Sequence, residues 1–283
     1  MSLRPQNDPE HQSKSLHKTD DYWCTPLIRQ LEKSDLPDRF KLTRRLRNCA
    51  QYRRYGLNSG KKPNYCHLRY LCKACADRYA KRVALEYATK ILGLMIQFGL
   101  CPFFVTLSPR AENDLVQQLV QVERMLNKIR QKRKNHFSHR TQFTEFCRFL
   151  YAFVILEVKR TQDGQLWFPH VHFIALNPLA DVRFNLSDLA TEWRIVSESE
   201  IPPHVESTTA GKLFRRCQRS DSISEDMKGK IFRDLQRIIQ YALKPLPLCL
   251  SDQIVVHSAM RGTHRYREWA MPKSHGQFHS SKV

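Results

Sequence analysis

Two histidines, at residues 170 and 172, stand out because their type and spacing could support chemistry. They lie in the segment Trp167-Phe-Pro-His170-Val-His172-Phe-Ile-Ala-Leu176, whose alternation predicts a β-strand with both rings on one face. Imidazole rings held side by side are suitable ligands for a metal ion. The same spacing would also suit two polar side chains that simply cover the outer face of a hairpin, so a third ligand decides between these interpretations.

The segment before the histidines supplies a carboxylate. Residues 149–159 form a second apolar, β-prone run, and Asp163-Gly164 between the runs is a strong hairpin signal, since both residues of such a turn need positive φ. This turn would place Glu157 directly opposite His170, on the same sheet face, whereas a shift of one residue would move it to the other face. The sequence therefore predicts a site of Glu157, His170 and His172 for manganese or magnesium.

Four of the nine cysteines lie within 27 residues and predict a structural zinc site. Cys72-x-x-Cys75 can place two thiolates on one ion, and Cys66 and Cys49 can complete a tetrahedral set, with His67 as an alternative fourth ligand. The odd cysteine count, and the cysteines in apolar segments, favour a reducing cytoplasm in which clustered cysteines bind metal rather than form disulfides.

The charge of the chain predicts a polyanionic partner. The sequence has 47 Lys and Arg against 27 Asp and Glu, a formal net charge of +20. Basic residues interleave with tyrosines around the cysteines, a mixture suited to phosphates and stacked bases. We expect eight of them to bind DNA: Arg44, Arg45, Arg47, Arg53, Arg54, Arg69, Lys73 and Arg78. No run of 18 apolar residues occurs, so we expect a cytoplasmic protein without a membrane partner.

A long helix is predicted downstream of the hairpin. Ser222-x-x-Glu225 is a capping box, and the helix that it opens extends to about Lys244, before two prolines. Tyr241 and Lys244 lie three residues apart and would share a helix face. A tyrosine hydroxyl beside an ammonium group can act as a nucleophile with a charge neutraliser, although Tyr-x-x-Lys by itself usually means only an interfacial tyrosine and a surface lysine.

The remaining elements predict an α+β fold with a central antiparallel sheet, flanking helices and a preceding Cys-rich zinc-binding element. Residues 76–98 favour a helix that Gly99 ends, and residues 102–108 a buried strand. Ser108-Pro109 would open the next helix, and residues 254–257 would form a last strand. We divide the chain into a polar, disordered leader (1–40), a Cys/Arg-rich element (41–82), a catalytic domain (83–258) and a basic tail (259–283).

The order of three motifs resembles that of the HUH endonucleases. An apolar strand ending in Phe104-Val-Thr-Leu-Ser precedes Pro-His170-Val-His172, and Tyr241-Ala-Leu-Lys244 follows. Within that superfamily the sequence looks most like the plasmid rolling-circle replication initiators, in which a Cys-rich, Arg-rich segment precedes the first motif. The resemblance covers residues 45–250. It implies an HUH-type catalytic domain, metal-binding roles for His170 and His172, Tyr241 as the nucleophile and Lys244 as its helper.

The resemblance also implies a reaction and its partners. Tyr241 would nick one strand at a plasmid origin by metal-assisted transesterification, giving a 5′-phosphotyrosine and a 3′-hydroxyl primer. A host helicase and polymerase would be needed, and the DNA would be single-stranded at the nick. Some relatives place a glutamate one helical turn before the tyrosine to activate water at termination, but Arg237 stands there, with Asp234 two turns before. Two alternatives stay open: a single-tyrosine HUH transposase, and a zinc-dependent DNA-binding regulator without catalysis.

Overall fold

The computed structural model describes residues 24–51, 64–139, 143–178, 185–197, 224–244, 248–263 and 265–270. The chain divides into two compact units. Unit 1 joins Met1–Tyr79 to Pro247–His257, and unit 2 joins Ala80–Leu246 to Ser258–Val283. These limits differ from the four predicted segments, chiefly because a short piece from the C-terminal half of the chain belongs to unit 1.

The described helices are α1 (24–32), α2 (Arg39–Gln51), α3 (Lys73–Phe98), α4 (Leu115–His139), α5 (Leu186–Ser197), α6 (Glu225–Leu243) and α7 (Leu250–Ala259), with a 3₁₀-helix at Glu145–Arg148. Gly99 takes a φ of 60° directly after α3, as its predicted role as a helix stop requires. Within the described ranges, none of these helices combines the length and the apolarity that crossing a bilayer requires.

Unit 2 is built on a four-stranded antiparallel sheet. Its strands are β1 (Leu100–Leu107), β2 (Tyr151–Arg160), β3 (Trp167–Pro178) and β4 (Tyr266–Trp269), in the order β1-β3-β2-β4. The strand that carries the histidines, β3, is central and pairs with both β1 and β2. The predicted α+β class, with an antiparallel sheet and flanking helices, is confirmed.

Aromatic side chains pack on both faces of the sheet. On the face that bears His172, Tyr87 of α3 stacks on Phe153 of β2, with 3.9 Å between ring centroids. On the opposite face, Phe146 of the 3₁₀-helix packs against Phe173 of β3, with centroids 6.0 Å apart. Strands buried on both faces need apolar side chains almost throughout, and this is why β2 and β3 are continuous apolar runs.

The turn between β2 and β3 gives the predicted register, although its conformation differs from the predicted two-residue turn. Glu157 lies opposite His170, so the predicted pairing is confirmed. Of the two turn residues, Gly164 alone takes positive φ (71°), and its N–H donates to the Thr161 carbonyl at 2.9 Å. The Asp163 carboxylate accepts a hydrogen bond from the backbone two residues on, at 3.0 Å. This longer turn shares its midpoint with the predicted two-residue turn, so the register is the same.

Unit 1 is a small helical unit around the cysteines. Leu27 and Leu31 of α1 pack with Leu42 and Leu46 of α2 in one buried cluster that also contains the cysteines 49, 66, 72 and 75. The α1 helix lies inside the segment expected to be a polar leader. Its two leucines are four residues apart, on one helix face, and their burial explains why this part of the chain is ordered.

Three predictions of secondary structure, two of helix starts and one of a strand, differ from the structure. Helix α6 begins after Ser224, whose side chain accepts a hydrogen bond from the Met227 N–H at 3.3 Å, two residues later than the predicted capping box. The prediction that Ser108-Pro109 opens a helix is wrong. The residue that caps α4 is Asp114, whose carboxylate accepts hydrogen bonds from the N–H groups of Val116 and Gln117. Residues 254–257 lie in α7 and not in a strand.

Candidate active site and candidate metal centre

Glu157, His170 and His172 share one face of the β2–β3 hairpin. The Glu157–His170 pairing places these two residues side by side, and the rings of His170 and His172 are nearly parallel, with centroids 6.0 Å apart. Glu157 and His172 are almost fully buried, whereas His170 is half-buried. The three predicted metal ligands are therefore brought onto one surface.

His172 is held at both ring nitrogens. Its Nδ1 lies 2.8 Å from the Thr106 hydroxyl on β1, and its Nε2 lies 2.8 Å from a carboxylate oxygen of Glu157. The Phe104 ring stacks on the imidazole at 5.4 Å between centroids. Sequence reasoning identified the strand that contains Thr106 but not its contact, which depends on the β1–β3 register that pairs Thr106 with His172.

The Glu157 carboxylate is ionised at neutral pH. Burial raises its pKa, but the hydrogen bonds and charges of His172 and Lys159 outweigh burial and leave the pKa below its ordinary value. The Lys159 Nζ lies 2.9 Å from the same carboxylate oxygen. This arrangement suits a metal site. Glu157 supplies an ionised carboxylate, and metal-binding histidines usually donate their second ring N–H to a fixed partner, a role that the Thr106 hydroxyl can fill for His172.

These three side chains do not yet converge on one point. Among the described residues, only a cluster of cysteines brings three or more His, Cys, Asp or Glu ligand atoms within 4.8 Å of one another. The direct His172–Glu157 hydrogen bond occupies the space between two of the ligands. Binding of manganese or magnesium would therefore require this hydrogen bond to be replaced by bonds from both side chains to the metal.

Tyr241 lies in the last turn of α6, and 63% of its side chain is exposed. The helix packs against β2, the strand that carries Glu157. Lys244 is the C-cap residue of α6, and its backbone is extended (φ −60°, ψ 139°). It is therefore not part of the helical turn whose face the sequence predicts it to share with Tyr241. Its N–H donates to the Tyr241 carbonyl at 3.2 Å.

Arg265 joins the end of α6 to β2. This buried guanidinium donates to the carbonyls of Ala242 and Lys244, at 3.4 and 3.0 Å. The Arg265 carbonyl accepts a hydrogen bond from the Leu156 N–H at 2.7 Å, one residue from Glu157. Sequence reasoning missed Arg265, because a single arginine in a basic C-terminal segment carries no signal that distinguishes it from its neighbours.

The four cysteines predicted to bind zinc form a buried cluster. Their sulfur atoms all lie within 4.8 Å of one another, with Cys49–Cys75 at 3.8 Å and Cys66–Cys75 at 3.4 Å. A tetrahedral zinc site with Zn–S bonds of about 2.3 Å needs sulfur atoms about 3.8 Å apart. The cluster could therefore hold a metal such as zinc. His67 is exposed and outside the cluster, so Cys49 and not His67 is the fourth member.

The cluster favours thiolates at two of its positions. Hydrogen bonds from Cys66 and Cys72 lower the pKa of Cys49 to about 7, and hydrogen bonds from Cys49, Cys66 and Cys72 lower the pKa of Cys75. The hydrogen bond with Cys49 is the main cause of the raised pKa of Cys66, and those with Cys49, Cys66 and Cys75 raise the pKa of Cys72. A divalent cation would be attracted to this partly ionised, buried set of sulfurs and would favour ionisation of the rest.

We compared the chain with protein-family models, with curated proteins and with solved structures. None of the three comparisons finds a match. The resemblance to the HUH endonucleases therefore depends on the motifs of the chain itself.

The basic residues predicted to bind DNA fall into three groups. Four have partners inside unit 1: Arg45 donates to the Cys66 carbonyl, Arg47 pairs with Glu32, Arg69 lies over the rings of Tyr70 and Tyr79, and Arg78 lies over Tyr65. Arg44 and Lys73 are exposed. Arg53 and Arg54 lie outside the described residues. Part of the arginine content of this region thus stabilises the unit that contains the cysteines.

Proposed function

We propose that this protein nicks single-stranded DNA by metal-assisted tyrosine transesterification and initiates plasmid rolling-circle replication at an origin. The observation that carries the proposal is the register of the central hairpin, which brings Glu157, His170 and His172 onto one face. A well-capped helix that packs on the same hairpin and carries the exposed Tyr241 in its last turn adds support. The positive net charge of +20 suits a DNA substrate.

In the proposed reaction the Tyr241 oxygen attacks the scissile phosphorus. The bond from phosphorus to the 3′-oxygen breaks, the 3′-oxygen takes up a proton, and the 5′-phosphate stays on the tyrosine. A phenol ordinarily has a pKa of about 10, so its proton must be withdrawn as the bond forms, and we assign to the Lys244 ammonium the role of offsetting the developing charge. A manganese or magnesium ion held by Glu157, His170 and His172 would stabilise charge on the phosphate.

The protein supplies the orientation for this chemistry. Thr106 and Phe104 hold the His172 ring in place, and Lys159 holds the Glu157 carboxylate. Arg265 connects the end of the tyrosine helix to the strand of Glu157. We assign zinc to the cysteine cluster as a structural ion, since four sulfur ligands leave no open coordination position for a reactant.

Two other functions were considered for the same residues. A single-tyrosine transposase would use the same chemistry at the ends of a mobile element. A zinc-dependent DNA-binding regulator would use the cysteine cluster and the basic surface, but it gives no role to the buried Glu157–His172 pair. We favour nicking because it gives a role to the Glu157, His170 and His172 face and to Tyr241, which a regulator leaves unexplained.

A nicking assay tests the proposal. Circular single-stranded DNA carrying the region that flanks the coding sequence is incubated with zinc-loaded protein, with and without manganese. We expect cleavage only with manganese, and loss of at least about 100-fold in rate for His170→Ala, since that change removes a proposed metal ligand. His139→Ala, a change of an exposed histidine on α4, is the matched control and should cleave normally. Full-rate cleavage without manganese, or by His170→Ala, would contradict the proposal.

A further inference from the structure

Helix α2 presents a polar face that does not contribute to the core of unit 1. Its inner face buries Leu42, Leu46 and Cys49. Its outer face consists of six exposed side chains, all on the side of the helix away from the core: Phe40, Lys41, Arg44, Arg47, Asn48 and Gln51. An outer face of this kind normally meets water, but the residue types here are unusual for a solvated helix surface, since none of them is acidic.

The spacing of these residues forms a stripe along the helix axis. Lys41, Arg44, Asn48 and Gln51 follow each other at intervals of three, four and three residues, so they lie one above the other on successive turns. The stripe is about 15 Å long at 1.5 Å per residue. Base pairs are about 3.4 Å apart along a duplex, so a stripe of this length covers roughly four or five of them.

The side chains on the stripe are those that read bases. An arginine can donate both its ends to guanine O6 and N7, and asparagine or glutamine can bond adenine N6 and N7. An exposed aromatic ring such as Phe40, 69% exposed at the start of the helix, can contact a thymine methyl group. Asparagine and glutamine can also bond phosphate oxygens, but such contacts carry no sequence information, so only base reading makes the protein prefer one motif.

The side chains of the stripe and those of its basic neighbours differ in their contacts. Within the described part of the chain, the side chains of Lys41, Arg44 and Asn48 make no hydrogen bond or ion pair. Arg45 is bound to the Cys66 carbonyl next to the cysteine cluster, and Arg47 is paired with Glu32 of α1. Of the two arginines on the outer face, Arg47 is thus paired with α1, whereas Arg44 has no such partner among the described residues.

The buried face of α2 fixes the helix to the rest of unit 1. Cys49 ties its C-terminal half to the cysteine cluster, and Leu42 and Leu46 pack on α1. Two packed helices with a short connection, the second with an exposed polar face, are an arrangement that many DNA-binding proteins use to place a helix in the major groove. A helix 10–12 Å wide fits the B-DNA major groove of about 12 Å, but not the deep, narrow major groove of A-form RNA.

We infer that α2 is a recognition helix for duplex DNA, and that Lys41, Arg44 and Asn48 read base edges in the major groove. This inference goes beyond the proposed nicking function, because it concerns duplex DNA and not the single strand that is cleaved. Helix α2 would read the duplex beside a nick site. It also gives the cysteine cluster a specific role, which is to fix the orientation of the reading helix.

The test is selection of duplexes from a randomised library by the full-length, zinc-loaded protein in the absence of manganese and magnesium, followed by sequencing. We expect one short motif to be enriched. For Arg44→Ala we expect the preference for guanine at one motif position to fall roughly five- to 150-fold, the range for one bidentate base contact. Arg29→Ala, which removes the same charge from an exposed position on α1, should leave every preference in the motif unchanged.

A second variant separates base reading from charge. Arg44→Lys keeps the positive charge but loses the planar fork that bonds guanine at two atoms, so it should bind DNA well and still lose the guanine preference. Enrichment of no motif, the same preferences in all variants, or a uniform loss of affinity in Arg44→Ala would overturn the inference. Because no cleavage is measured, these outcomes are independent of whether Tyr241 nicks DNA.

Discussion

Replacing Cys75 by serine should unfold unit 1, because the cysteine cluster contributes a large part of its stability. The Cys75 sulfur lies 3.4 Å from the sulfur of Cys66 and 3.8 Å from that of Cys49, so it contacts two other members of the cluster. A serine hydroxyl is a poor zinc ligand and leaves three sulfur ligands. We therefore expect this single change to lower zinc affinity by several orders of magnitude.

The size of the effect follows from the small core of unit 1. Seven leucine and isoleucine side chains share the buried cluster with the four cysteines. At about 1.5–3 kcal/mol for each buried aliphatic side chain, they contribute on the order of 10–20 kcal/mol. Zinc bound by cysteine-rich sites contributes about 10–16 kcal/mol at pH 7. The metal would therefore stabilise unit 1 about as much as its apolar core does, and without the metal the unit should not fold.

The assay combines metal analysis with limited proteolysis of freshly reduced, full-length protein. Wild-type protein should carry about one equivalent of zinc, and Cys75→Ser should carry none and be cut rapidly within residues 24–79. Cys249→Ser is the matched control, since Cys249 is exposed, belongs to unit 1 and lies outside the cluster. Wild-type protein that contains no zinc yet resists protease throughout unit 1 would refute this reasoning.

Substitutions at three further positions test the arrangement in unit 2. Thr106→Val keeps the shape of the side chain but removes the hydroxyl beside His172 Nδ1, so we expect manganese to be needed at about 10- to 100-fold higher concentration for nicking. Arg265→Met should lower the maximal nicking rate more than DNA affinity, and Arg265→Lys should restore part of that rate, both measured by single-turnover kinetics. For Glu192 of α5, burial raises the pKa in the folded state, so the folded protein holds a proton that the unfolded chain releases, and stability should fall as pH rises above the ordinary carboxyl pKa. Glu192→Gln should remove that decline in urea unfolding measured between pH 4 and pH 7, and an unchanged decline would contradict this assignment.

The hairpin site could be predicted from the sequence because its determinants are local. The alternation around His170 and the position of Asp163-Gly164 were sufficient to pair Glu157 with His170. The turn itself differs from the prediction, since Asp163 uses its carboxylate to bond the backbone and avoids positive φ. Register depends on the midpoint of the turn and not on its type, so this difference had no consequence for the site.

Other features depend on contacts between distant residues and could not be predicted. The hydrogen bond from Thr106 to His172 requires the β1–β3 pairing, and the link from Arg265 to the end of α6 requires β4 to reach β2. Ile254, Val255 and Val256 are apolar and β-branched, which favours a strand, but the burial of Ile254 in the core of unit 1 as part of a helix overrides that preference. The hydrogen bond from Arg45 to the Cys66 carbonyl likewise joins residues 21 positions apart and could not be predicted.

The most direct test of the central claim is peptide mapping of the covalent protein–DNA adduct. Wild-type protein is incubated with manganese and single-stranded DNA that it cleaves, digested with protease, and the peptide that carries the nucleotide is sequenced by mass spectrometry. The proposed function predicts a 5′-phosphotyrosine on Tyr241, and no adduct or nick with Tyr241→Phe, although that variant should bind DNA normally. An adduct on Tyr266 or another tyrosine, or nicking at the full rate by Tyr241→Phe, would contradict the claim.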